Sequence, residues 1–95
     1  MAQILAPGLT AASSTSFTLS GGQEATLSLF AADGTLPPFE GLEFHVVKQA
    51  SNGTWMRTGV VLTTWAPALV LAGAGTFRVD RPVLPGWQGV GVDLD

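Results

Sequence analysis

Short runs in which every second residue is apolar, each closed off by glycine or proline, constrain this chain more than anything else in it. Residues 42–49 alternate cleanly, with Leu42, Phe44 and Val46 on one side and Glu43, His45, Val47 and Gln49 on the other. Glu24–Ala31 repeats the pattern: Ala25, Leu27 and Leu29 face away from Thr26, Ser28 and Phe30. A period of two buries one face of a strand, whereas a helix needs a period of 3.6, and no segment of helical length shows one. Twelve glycines and six prolines separate the runs, and turn signals at such short intervals mark an all-β domain.

The pattern predicts seven strands, at residues 14–19, 24–31, 42–49, 54–63, 68–71, 76–81 and 89–94. Ser20-Gly21-Gly22 turns the chain after the first, and Asp33-Gly34 with Pro37-Pro38 marks a long loop after the second. Asn52-Gly53 between two alternating runs is a strong hairpin signal. A two-residue loop there would set Lys48 opposite Arg57, a like-charge pair that costs stability. A three-residue loop with Gly53 in a bulge avoids the clash and is the expected register. Seven short strands close most simply as an antiparallel two-sheet sandwich. Residues 14–95 are expected to form that single domain. Residues 1–13, small, uncharged and interrupted by Pro7-Gly8, are expected to be an extended arm whose Ile4, Leu5 and Leu9 pack on a neighbouring subunit.

Only 12% of the residues are charged while 46% are hydrophobic, against about 25% charged in an ordinary soluble domain. A folded chain of 9.8 kDa exposes roughly 5,200 Å², far more than so few charges can cover. Such a surface invites association with other protein. The chain has no cysteine, so no disulfide or thiolate metal site staples it. Its net charge is −3, and its cations are Lys48, Arg57, Arg78 and Arg81. Four scattered cations make no phosphate-binding patch, which argues against a nucleic-acid partner. The amino-terminal stretch lacks the basic and apolar regions of a secretory signal, and no apolar run reaches the roughly 18 residues that cross a bilayer as a helix. Synthesis in the cytoplasm is the expectation.

Residues that carry chemistry are few. His45, with Glu43 two positions before it, is the only histidine, and a metal site needs three or four converging ligands. No serine sits in a nucleophile-elbow pattern. Glu40 and Glu43 are a carboxylate pair in name, but acid–base pairs work in a deep cleft that a chain this short has little room for. Gly73-Ala74-Gly75 lacks the context of a phosphate loop, and Asn52-Gly53-Thr54 is a turn. No enzymatic activity, metal or cofactor is expected. Trp55, Trp65 and Trp87 lie near turns, and tryptophan is enriched at interface hot spots and in sugar-stacking platforms. One of the three is expected in the core and the other two, Trp55 among them, at surfaces.

Two resemblances extend this reading. Residues 17–30, FTLSGGQEATLSLF, are similar to the opening pair of strands of immunoglobulin-like sandwiches. Residues 69–79, LVLAGAGTFRV, are similar to the corner before their sixth strand, with Phe77 where that family usually has tyrosine and with the paired cysteines missing. The whole profile also resembles the head decoration (cement) proteins of tailed bacteriophages: a small-residue arm, a Gly/Thr-rich sandwich, few lysines, an acidic pI and a final strand VGVDLD at 90–95. That resemblance implies a virion protein assembled in the host cytoplasm that binds the major capsid protein or another virion protein, as a homo-oligomer with a trimer favoured over a dimer. The alternatives are a carbohydrate- or receptor-binding module of a phage tail or cell surface, and a head–tail connector component.

Overall fold

In the computed structural model, residues 2–32, 43–84 and 89–95 are described, and every regular element among them is a strand. In chain order these are β1 (Ala2–Gly8), β2 (Ala12–Ser13), β3 (Phe17–Leu19), β4 (Glu24–Ala31), β5 (Phe44–Gln49), β6 (Trp55–Leu62), β7 (Ala68–Ala72), β8 (Gly75–Arg81) and β9 (Val90–Leu94). One sheet is ordered β1-β9-β4-β7; the other is ordered β2-β8-β5-β6, with β3 also paired to β8. All pairs are antiparallel. The expected two-sheet sandwich is therefore present, and each of the seven expected strands is found, β4 with the expected ends and the others with ends shifted by up to three residues. Asp33-Gly34, Pro37-Pro38, Glu40, Leu42 and Trp87 lie outside the described residues.

The alternation read from the sequence explains the layers. Leu27 and Leu29 of β4 and Val90 and Val92 of β9 point inward from one sheet. They meet Phe44 and Val46 of β5, Leu62 of β6 and Phe77 and Val79 of β8 from the other. The hairpin joining β5 and β6 has the bulged register: Ala50 N–H donates to the Thr54 carbonyl at 2.7 Å, and Gly53 N–H donates to that of Ala50 at 2.9 Å. Gly53 has φ 88°, a left-handed conformation that glycine adopts without a Cβ clash. Lys48 consequently faces Met56, not Arg57.

Strand connectivity departs from the immunoglobulin-like expectation. In that family the last strand lies beside its predecessor in one sheet; here β9 lies in the opposite sheet from β8, between β1 and β4. The pairings nest instead. Ala2 faces Leu94, Ala12 faces Arg81, Phe17 faces Phe77, Glu24 faces Ala72 and Gln49 faces Trp55. The chain is one long hairpin rolled up so that successive pairs fall in alternate sheets. That order is a jelly roll. The glycine-rich segments that suggested immunoglobulin strands, at Gly21-Gly22 and at Gly73, are corners where the chain crosses from one sheet to the other.

The second correction is to the arm. Residues 2–8 are β1, an edge strand of the molecule's own sheet, and Ile4 and Leu5 are core residues, each 9% exposed. Leu9 packs against the same core, its carbonyl accepting the Leu84 N–H at 2.8 Å. The physical reason is a pair of register shifts, between Gln3 and Leu5 and between Leu5 and Gly8. They turn the consecutive side chains Ile4 and Leu5 both inward, which erases the period of two that marks the other strands.

Arg81 holds this corner together. Its side chain is buried, and its guanidinium donates to the carbonyls of Ala6, Thr10 and Val90, each at 2.8 Å. Among the described residues no carboxylate pairs with it. Burial lowers its pKa from the ordinary value, and a guanidinium still remains charged in a protein. Gly8 is small because it must be: a Cβ there would come within 2.6 Å of Arg81 Nη2. Arg81→Ala leaves three carbonyls without their donor and should cost about 3 kcal/mol, read as a lower urea midpoint. Deleting residues 2–8 should abolish the cooperative unfolding transition altogether, where a detachable arm would leave it in place.

Candidate interaction surface

The residues singled out by sequence do not converge. Ile4, Leu5 and Leu9 belong to the core just described. Trp55 is half-buried on the outer face of the β2-β8-β5-β6 sheet, Trp65 is 70% exposed in the turn between β6 and β7, and Trp87 falls outside the described residues. His45 lies 3.8 Å from Glu43. Among the described residues no three His, Asp or Glu side chains gather as a metal site would need.

The outer face around Trp55 is a polar network. The Arg78 guanidinium sits 4.4 Å from the centre of the Trp55 ring and donates through Nε to Asp80 Oδ1 at 3.1 Å. Ser13 Oγ donates to the same oxygen at 2.8 Å. One face of the indole is thereby covered. At the end of the sheet, Lys48 Nζ lies 5.9 Å from the Phe77 ring, which stacks on Phe17 at 6.0 Å between centroids. A shallow depression of about 280 Å³ opens beside them, lined by Lys48, Gln49, Ala50, Met56, Arg57 and Thr58. Thr58 Oγ1 donates to the Val46 carbonyl at 2.8 Å where β6 bulges at Gly59, φ 86°.

Charge divides between the two sheets. β1, β4, β7 and β9 contain Glu24 and Asp93 and no lysine or arginine, whereas all four cations lie on β5, β6 and β8. Between Arg57 and Arg78 no residue is charged. That stretch supplies most of β6, the turn at residues 63–66, and all of β7. It thus forms an edge of each sheet, and Trp65 and Val70 protrude from it at 70% and 59% exposure. Met56 on β6 and Val83 after β8 are also more than half exposed. Sequence reading missed this as a surface because it ranked single aromatics; the uncharged stretch was the signal that could have found it.

Compared with protein-family models, curated proteins and solved structures, the chain matches none.

Removing the Arg78 guanidinium should expose the second face of Trp55 to water. Arg78→Ala should red-shift its tryptophan emission and cost about 0.5–1 kcal/mol in chemical denaturation; an unchanged spectrum would contradict the stacking.

Proposed function

We propose that this protein is a non-catalytic structural subunit of a virus particle, a decoration protein that binds the assembled head and stabilises it. The observation that carries the reading is the surface. It measures 5136 Å² and holds few charges, yet leaves Trp65, Met56, Val70 and Val83 each more than half exposed. Proteins that work alone at high concentration keep such side chains few and charges many. A partner made of protein is what this surface suits. The jelly roll supports the reading by analogy, since it recurs in viral capsid domains as well as in lectins. Attachment would bury apolar side chains across neighbouring capsid subunits, with Trp65 as the anchor. Repetition over a symmetric lattice would multiply a modest affinity for each copy.

Undecorated capsids mixed with the purified protein should bind it saturably and gain heat resistance, and absence of co-sedimentation at micromolar concentration would sink the proposal. Trp65→Ala should weaken that binding about tenfold while leaving the urea midpoint within error, because the side chain it removes is mostly in water.

A further inference from the structure

Each sheet ends in two edges: β1 and β7 in one, the β2/β3 segment and β6 in the other. An open edge offers unpaired N–H and C=O groups to any passing strand, and proteins block it with charge, proline, bulges or breaks. Three of these edges are blocked in that way. β1 contains Pro7 and two register shifts. The β2/β3 edge is broken at residues 14–16, where Ser14 Oγ takes the place of a strand carbonyl and accepts the Val79 N–H at 2.9 Å. β6 carries Arg57 and the bulge at Gly59. The remaining edge, β7, has none of these devices. Its register with β4 runs unbroken from Glu24 and Ala72 to Ser28 and Ala68, and its five residues include no charge, proline or glycine.

The groups that β7 presents follow from its neighbour. Thr26 of β4 uses both its N–H and its carbonyl on Asp95, at 3.0 and 2.9 Å, on the side away from β7. Thr26 and Val70 are therefore a non-hydrogen-bonded pair, and Val70 directs its own N–H and C=O out of the sheet. Strand alternation puts Ala68 and Ala72 in the same state. Read along this edge, the sequence is Ala-Leu-Val-Leu-Ala, identical in both directions.

We infer that β7 pairs antiparallel with β7 of a second copy, about a two-fold axis through Val70, joining two four-stranded sheets into one. In that register Val70 faces its own counterpart, Ala68 faces Ala72 and Leu69 faces Leu71. Every outward-pointing backbone group then finds a partner, making about six hydrogen bonds. Leu69, only partly buried in one copy, gains cover. A two-fold contact requires the same residues to serve both sides, and the palindrome supplies that; a strand from an unrelated partner would have no use for it. No like charges meet, because the stretch from Thr58 to Phe77 has none. The axis is two-fold in place of the three-fold arrangement expected from the decoration-protein resemblance, and the inference stands apart from the virion reading.

The strand is roughly 17 Å long on a molecule whose smallest extent is 20 Å. The shared wall is thus about 350 Å² per copy by the same strand geometry, under half the ~800 Å² of a standard interface. A contact this small makes the association weak, with dissociation expected between about 10 µM and about 1 mM. Sedimentation equilibrium from about 10 µM to about 1 mM, bracketing that range, should show a monomer–dimer equilibrium. Val70→Lys, which places two cations on the axis at an already exposed position, should weaken dimerisation at least tenfold with the circular dichroism spectrum unchanged. The chain has no cysteine, so Val70→Cys carries a single thiol, and under mild oxidation it should form a covalent dimer much faster than Asn52→Cys at the hairpin tip. A monomer throughout the concentration range, a Val70→Lys dimer of unchanged strength, or equal crosslinking of the two cysteine variants would each overturn the inference. Capsid co-sedimentation of the unsubstituted protein, measured alongside, reports on the virion reading alone.

Discussion

The first sheet depends on one insertion. Among the described strands β1 pairs with β9 alone, and β9 reaches β4 on its other side, so the sheet is complete only when the last strand has entered between the first and the fourth. The fit is tight. A Cβ on Gly91 would strike the carbonyl oxygen of Leu5 on one flank and stand 2.8 Å from Phe30 Cζ on the other, and one on Gly89 would stand 2.7 Å from the backbone nitrogen of Gly8. Strands this close leave no room for side chains at the crossing, which is why glycine recurs there. Arg81 reaches across the same junction from β8, so its three carbonyl bonds tie β1, the segment after it and β9 to the second sheet.

The sandwich is filled at its centre by Leu27, Phe44, Val46, Leu62, Val79 and Val92. On its outer surface the charges are sorted. The cations that face solvent stand on β5, β6 and β8, beside Trp55 and Asp80; the opposite sheet shows only carboxylates. The wall between them, formed by β6 and β7, shows from Thr58 onward neither sign. Such a molecule has chemically distinct sides.

The strands that alternate strictly were legible in the sequence. β4 and β5 bury every second residue because nothing interrupts their ladders until the bulge near Val47. The hairpin register was legible too, since repulsion between Lys48 and Arg57 and the freedom of Gly53 pointed to the same loop. β1 was not legible. Its bulges place adjacent Ile4 and Leu5 inward together, and a strand defined by its partner's far end leaves no local mark. The same limit explains the strand order: Gly21-Gly22 and Gly73 announce corners, but whether a corner leads into an immunoglobulin or a jelly-roll path is decided by which distant strand β9 joins. Of the aromatics, Trp65 stands at the surface as a turn residue should, whereas Trp55 gains partial burial from Arg78, a residue over twenty positions away in the chain.

Ala2 and Leu94 are direct partners across β1 and β9, which sets the two extremities of the folded unit one interstrand spacing, about 5 Å, apart. Anything fused to either one leaves from the same corner of the sandwich. Ala2 lies at the β1 margin of its sheet, with β9 and β4 between it and β7, while Leu94 on β9 has β4 alone between it and β7. A tag, fluorophore or displayed peptide attached at Ala2 therefore stands three strands from β7 and leaves that edge open, while a short linker across the gap between Ala2 and Leu94 would close the polypeptide into a ring.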